Sequence, residues 1–126
     1  MLVDSVSAVL LISDNAAALA DFYKSALELP LQDEQHDGVP LHYGCEIGEV
    51  HFAIHPSEGW PGVRARDSQS PIIALATQNV DLIAGRLRNV GVEPVGPYDH
   101  GFAFTLSFRD PDGNLVEIME FKRDGT

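Results

Sequence analysis

Residues 102–121 read Phe102-Ala103-Phe104-Thr105-Leu106-Ser107-Phe108-Arg109, then Asp110-Pro111-Asp112-Gly113, then Asn114-Leu115-Val116-Glu117-Ile118-Met119-Glu120-Phe121. The first eight alternate, with Phe102, Phe104, Leu106 and Phe108 against Ala103, Thr105, Ser107 and Arg109, which is the period of a half-buried strand. Asp-Pro-Asp-Gly supplies turn chemistry. It resembles a calcium loop only superficially, because the further spaced acidic ligands are missing. Residues 114–121 then return as a second strand.

The same grammar occurs earlier. Residues 39–47 alternate (Leu41, Tyr43, Cys45 and Ile47 against His42, Gly44 and Glu46), Gly48 and Glu49 turn, and residues 50–55 alternate again (Val50, Phe52 and Ile54 against His51, Ala53 and His55). Each pair follows a strand, a helix and a weak edge strand. Residues 5–13 are apolar and β-branched, and residues 71–76 match them. Asp14 is the expected cap of a helix over 15–28 whose stripe is Leu19, Phe22, Ala26 and Leu27. Asn79 is the expected cap of one carrying Val80, Ile83, Ala84, Leu87 and Val90, with Gly91 at the left-handed end position. Residues 31–37 and 94–98 are the edge strands, the latter holding two prolines. Residues 122–126 read as a frayed tail.

The chain therefore divides into a module at 1–56, a connector at 57–70 and a second module at 71–122. The fold class is α+β, with strand, helix and three strands (βαβββ) occurring twice. Laid over one another, Ser7 stands at Ile72 and Ala53 at Glu117, at offsets of 65 and 64.

A length of 126 residues holds one domain of ordinary size, and 44% apolar with 21% charged residues is a globular mix. Nineteen acidic against eight basic residues leave a net charge of −11. That field repels phosphate and anionic membrane surfaces and concentrates cations. No apolar run approaches the roughly 20 residues of a membrane span. The opening Met-Leu-Val-Asp lacks the basic region of a signal peptide. Cys45 is the single cysteine, so an intrachain disulfide and a thiolate zinc cluster are excluded and a cytoplasmic location is expected.

By alternation the helix-facing side of the strands carries Ala8, Leu10 and Ile12, then Val50, Phe52 and Ile54, then Ile73 and Leu75, then Val116 and Ile118. The other side carries Ser7, Val9 and Leu11; His51, Ala53 and His55; Ile72, Ala74 and Ala76; Leu115, Glu117 and Met119. Small residues beside polar ones suggest a hollow that receives a ligand, rather than a surface packed for stability. A partner subunit or the connector could fill it instead.

Three segments carry a family resemblance. Ala20-Asp21-Phe22-Tyr23-Lys24-Ser25-Ala26-Leu27-Glu28-Leu29 resembles the opening helix of the vicinal oxygen chelate superfamily, which includes glyoxalase I, extradiol dioxygenases and bleomycin-resistance proteins. Leu87-Arg88-Asn89-Val90-Gly91-Val92 resembles the end of its second helix. Phe108 to Glu117 resembles its closing motif, in which Asp-Pro-Asp-Gly-Asn precedes a glutamate. The resemblance implies sheets that curl around a cavity, in a homodimer. Metal-binding members place ligands on the first and last strand of each module, which carries over to Ser7, Ala53, Ile72 and Glu117. Of these, Glu117 is the one good donor, and a stable divalent site wants three or four. No cofactor is therefore expected, with a divalent metal as the alternative. His51 and His55 flank Ala53 on one face but start about 13 Å apart, too far to share an ion unaided.

Glu117 has two readings: a ligand anchor or general base, or a structural ion pair with Arg64 or Arg66. His51, His55, Trp60 and Phe102 are the other expected ligand contacts, with Trp60 able to stack over a ligand or simply pack the connector. His100 falls at a pocket mouth or on an exposed turn. The leading expectation is a small-molecule binding protein that sequesters a ligand in a cleft. The alternatives are a metal-dependent lyase, isomerase or dioxygenase working through Glu117, and an assembly module with a filled cavity.

Overall fold

Strand β1 (Ala8–Ser13) leads into helix α1 (Ala16–Leu27), followed by β2 (Gln32–Glu34), β3 (His42–Ile47) and β4 (Val50–Pro56). Then β5 (Ile73–Ala76) leads into α2 (Val80–Asn89), β6 (Val95–Asp99), β7 (Ala103–Arg109) and β8 (Leu115–Phe121). The structure is a computed structural model that describes residues 2, 6–36, 38–59 and 72–123. Trp60, Arg64 and Arg66, to which the sequence assigns roles, lie outside the described residues.

The strand order is β1-β4-β3-β2 in one sheet and β5-β8-β7-β6 in the other. β1 runs parallel to β4, and β5 to β8, while the remaining pairs are antiparallel. Two open mixed sheets thus repeat one topology, as the element order requires. The edge assignment of 94–98 also holds, because β6 lies at the sheet margin and its register shifts between Val95 and Tyr98, around Pro97.

The alternation of β1 is inverted relative to the sequence expectation. Val9 pairs with Phe52 and Leu11 with Ile54, so Val9 and Leu11 join the helix side and pack on the core. Ala8, Leu10 and Ile12 pair with His51, Ala53 and His55 on the open face, where Leu10 is 42% exposed. Every residue of β1 except its serine is apolar or small, so its own pattern carries no information about which side is buried. The modules consequently superpose at a single offset of 64: Leu10 opposite Ala53 repeats as Ala74 opposite Glu117. Ala8, and not Ser7, stands over Ile72.

The helices begin and end through local chemistry. Asn15, rather than Asp14, caps α1, accepting from the Ala18 amide at 3.3 Å, while the Asp14 carboxylate accepts from Ser57 Oγ at 2.6 Å. Asn79 caps α2 as expected, accepting from the Leu82 amide at 3.0 Å. Gly91 adopts φ +85° just past α2, and the Val92 amide reaches back to the Leu87 carbonyl at 2.8 Å. Val90, expected on the buried stripe, closes the helix and is 40% exposed.

One apolar cluster joins the two modules: Leu19, Tyr23 and Ala26 from α1, Phe52 and Ile54 from β4, Leu87 from α2, Leu106 and Phe108 from β7, and Val116 and Ile118 from β8. Each large side chain so buried contributes about 1.5–3 kcal/mol. Tyr23 was not expected there; Phe22 and Leu27, which were, are only half-buried. Tyr23 is fully buried, edge-on to Phe22 and Phe52 with ring centroids 5.5 Å away in each case, and its hydroxyl donates to Asp110 Oδ2 at 2.7 Å. Asp110 also accepts from the Asp112 and Asn114 amides and from Asn114 Nδ2. Its carboxylate thereby braces the turn and ties it to α1. Burial first, and then the charge of Asp110, hold the Tyr23 hydroxyl far above its ordinary pKa.

Lys122, the first residue of the expected tail, is tied down, while 124–126 lie outside the described residues. Lys122 Nζ pairs with Asp99 Oδ1 at 2.7 Å, and its amide donates to the Phe102 carbonyl at 3.0 Å.

Candidate functional site

Among the described residues, two hollows of different chemistry bear on the expected site residues. The first is an apolar cleft of about 570 Å³ between the edge strands β1 and β5, with Leu10, Val50, Phe52, Ile72, Ala74 and Ala76 among its walls. Ile72 is 60% exposed. Glu117 stands beside this cleft, as the partner of Ala74 across the β5–β8 ladder and of Ser107 across the β7–β8 ladder. Among the described residues no hydrogen bond or ion pair reaches its carboxylate. Ala74 and Ala76 leave room where larger side chains would close the cleft.

The second hollow, about 440 Å³, lies on the first sheet and is lined by Glu34, His36, His42, His51 and His55 together with Val39, Pro40 and Pro56. It follows from the strand register. His42 is paired with Glu34 on β2. On β3 and β4, Glu46 is opposite His51 and Gly44 opposite Ala53. The rings of His42 and His55 stack with centroids 4.1 Å apart and planes 11° apart. His36 lies 5.2 Å from His42 by the same measure. Glu34 Oε1 is 3.2 Å from His51 Nε2 and 3.4 Å from His42 Nε2. His51 Nδ1 is 2.5 Å from Glu46 Oε1. That last bond chiefly raises the His51 pKa, against partial burial and with further help from Glu34. Burial, and next the neighbouring His42, push His55 below the usual imidazole value.

The expected ligand contacts therefore fall into separate places. His51 and His55 share the histidine pocket, Glu117 borders the apolar cleft, and Trp60 lies outside the described residues. Phe102 precedes β7, is 60% exposed and lies 6.3 Å from the Phe121 ring, and it lines neither hollow. His100 is exposed in the turn between β6 and β7. Sequence reasoning missed Glu34, His36 and His42. The signal for His42 was its place on the polar side of the 39–47 alternation, opposite His55 once β3 and β4 pair.

The positions at which metal-binding relatives hold ligands become Ala8, Ala53, Ile72 and Glu117 after the register correction. Three of these side chains carry no donor atom, so the set does not fit a divalent ion. Cys45, which faces Phe52 across the β3–β4 ladder, is a buried free thiol; burial first, then Glu46 and Glu34, push its pKa up. No helix among the described residues is long and apolar enough to cross a membrane.

Residues 5–118 match the family model of the glyoxalase/bleomycin resistance protein/dioxygenase superfamily. Biphenyl-2,3-diol 1,2-dioxygenase 3 of Rhodococcus globerulus is 52% identical over 34 residues, which is 27% of this chain and 18% of that enzyme. The chain thus matches less than a fifth of that relative's length. Among solved structures, TnmS3, an antibiotic binding protein from a Streptomyces species, superposes with a TM-score of 0.75 at 22% identity, over 97% of this chain and 99% of that one. A lactoylglutathione lyase from Agrobacterium tumefaciens superposes with a TM-score of 0.68 at 17% identity over 100% of both chains. These superpositions show a shared fold.

Proposed function

The chain belongs to the glyoxalase/bleomycin resistance protein/dioxygenase superfamily, and from that premise we propose that it binds and sequesters a small molecule with an apolar body and one basic or hydroxyl-bearing group. The observation that carries this reading is the cleft of about 570 Å³ with, at its margin, a carboxylate that has no partner among the described residues. A volume of this size suits a drug-sized ligand, for which pockets span about 300–1,000 Å³. Leu10, Phe52 and Ile72 provide the apolar contact and Glu117 the single charged acceptor. The net charge of −11 draws a cationic ligand toward the protein. The antibiotic-binding activity named for TnmS3 lends support from a neighbour of the same fold. The reading includes a homodimer, and a cytoplasmic location in keeping with a single reduced cysteine.

Thermal unfolding in the presence of a panel of cationic aromatic compounds tests it. At a hundredfold excess over Kd, linkage adds about 2.7 kcal/mol, which raises Tm by several degrees. Glu117→Gln removes the charged acceptor and weakens binding by about 1.5–3 kcal/mol, roughly ten- to a hundredfold. Ala74→Trp fills the cleft from an exposed position and abolishes the shift while leaving the unliganded Tm close to wild type. Equal ligand shifts in wild type and both variants would remove the cleft from the function.

A further inference from the structure

Glu34 and His51 meet across a strand to which neither belongs. Glu34 lies on β2 and His51 on β4, with β3 between them, a span of at least two strand spacings or about 9–10 Å. The contact is also diagonal, because Glu34 is opposite His42 and His51 is opposite Glu46. Gly44 lies midway between those two β3 residues, and the 3.2 Å contact of Glu34 Oε1 with His51 Nε2 passes over it. A Cβ on Gly44 would lie 2.8 Å from both Glu34 Cδ and His51 Nε2, and closer still to Glu34 Oε1. Gly44 is not among the positive-φ glycines, so this crossing rather than backbone conformation calls for glycine.

Both ring nitrogens of His51 face carboxylates, Nδ1 that of Glu46 and Nε2 that of Glu34. A carboxylate only accepts and a neutral imidazole carries one N–H, so the two bonds form together in the imidazolium. Loss of the proton leaves one nitrogen as an acceptor facing an acceptor. The bond to Glu46, on the adjoining strand, is the shorter at 2.5 Å and keeps the remaining N–H, so Glu34 is the partner released. The other ionisable side chains around the pocket are His42 from β3, His55 from β4 and His36 from the segment after β2, while β1 places Ala8 opposite His51. His42 Nδ1 donates to the Pro40 carbonyl at 3.1 Å, so its neutral ring has no N–H left for Glu34. β2 has little else to hold it. Its three residues, Gln32, Asp33 and Glu34, are polar, and it pairs with β3 at the margin of the sheet. Beyond it Val39 and Leu41 are 38% and 40% exposed. Segments with so few buried apolar contacts are the first to open.

We propose that His51 is a proton-operated latch: as an imidazolium it ties the edge strand β2 across Gly44 to β4, and on losing its proton it releases Glu34 and opens the β2 wall of the pocket of about 440 Å³. The bond to Glu46 raises the His51 pKa most, burial opposes it, and Glu34 adds to the rise. A raised value in the folded state means that the latch stabilises fully below the ordinary 6.5 and is lost as pH rises through the raised value. Burial, and then His42, push His55 the other way, so near the ordinary value the charge sits on His51 and not on His55. The latch lies on the other sheet from Glu117 and does not rest on the small-molecule reading.

NMR on the full chain tests it. The His51 ring protons are followed from about pH 5 to 9, and amide protection of residues 32–34, corrected for intrinsic exchange, is measured against that of α1. His51 should titrate above 6.5, and protection of β2 should fall about two- to fivefold with the same midpoint. Glu34→Gln and Glu46→Gln should each lower the His51 value, Glu46→Gln the more. Gly44→Ala keeps every ionisable group but blocks the crossing, so it should lower the His51 value and remove the step in β2. His51→Gln should leave β2 equally protected across the range, and His100→Ala should change neither reading. Circular dichroism checks that each variant folds, and Glu46, 64% exposed in its side chain, supplies the variant least able to disturb folding. A His51 value at or below 6.5, β2 protection that stays level while His51 titrates, or a step that survives His51→Gln overturns the proposal. Ligand-induced thermal shifts are read separately, so failure here leaves the apolar cleft to its own test.

Discussion

Tyr23 and Asp110 are 87 positions apart in sequence, and a 2.7 Å hydrogen bond joins them in the interior. Removing the hydroxyl while keeping the ring isolates what that bond contributes. Tyr23→Phe retains the edge contacts to Phe22 and Phe52 but takes one donor from a buried carboxylate, at a cost of about 1.5–3 kcal/mol. Urea unfolding should show the midpoint falling with an unchanged slope; an unchanged midpoint would mean that Asp110 is sufficiently served by its turn. Composition identified Asp110-Pro111-Asp112-Gly113 as a turn, and the local bonds agree. The link to α1 was not legible, because nothing in a turn sequence names the residue that will reach it from another module. The cap of α1 shows the same limit at shorter range: Asp14 and Asn15 can both cap, and only the position of the first helical turn selects Asn15.

Strands were legible where polar and apolar residues alternate cleanly. β3, β4 and β7 have such patterns, and their faces follow from them. β1 lacks one, so its inward side is decided by pairing with β4, and that decision moved the position equivalent to the relatives' first metal ligand from Ser7 to Ala8. Pairing also created the histidine pocket, since Glu34, His42, His51 and His55 come from three strands. At the far end of the second sheet, Lys122 ties the chain after β8 to Asp99 of β6. The Lys122 bond first, and then the Gly101 amide, hold the Asp99 carboxyl below its ordinary 3.8. A carboxyl with a depressed pKa binds protons less readily in the folded state. The contribution of this pair is therefore present above the ordinary value and lost as pH falls through the lowered one. In Lys122→Gln the Asp99 carboxyl should titrate at higher pH by NMR; an unmoved titration would assign the shift to Gly101 alone.

At the scale of the molecule, the two sheets leave their β1 and β5 edges unpaired among the described residues, beside an apolar cleft. Leu10 and Ile72 are 42% and 60% exposed along these edges. Light scattering should give twice the chain mass of 13.7 kDa, and Ile72→Glu should return it to that of one chain. A wild-type monomer at micromolar concentration would remove the dimer from the proposed function. By itself the sequence determined the repeated strand–helix–strand order, the turns and the mixed character of the open faces, because alternation, capping and turn chemistry are local properties of the chain. The tertiary structure alone decided which side of β1 is buried, that Tyr23 braces Asp110, and that scattered histidines meet around Glu34, because each depends on strand register and on packing between residues far apart in sequence.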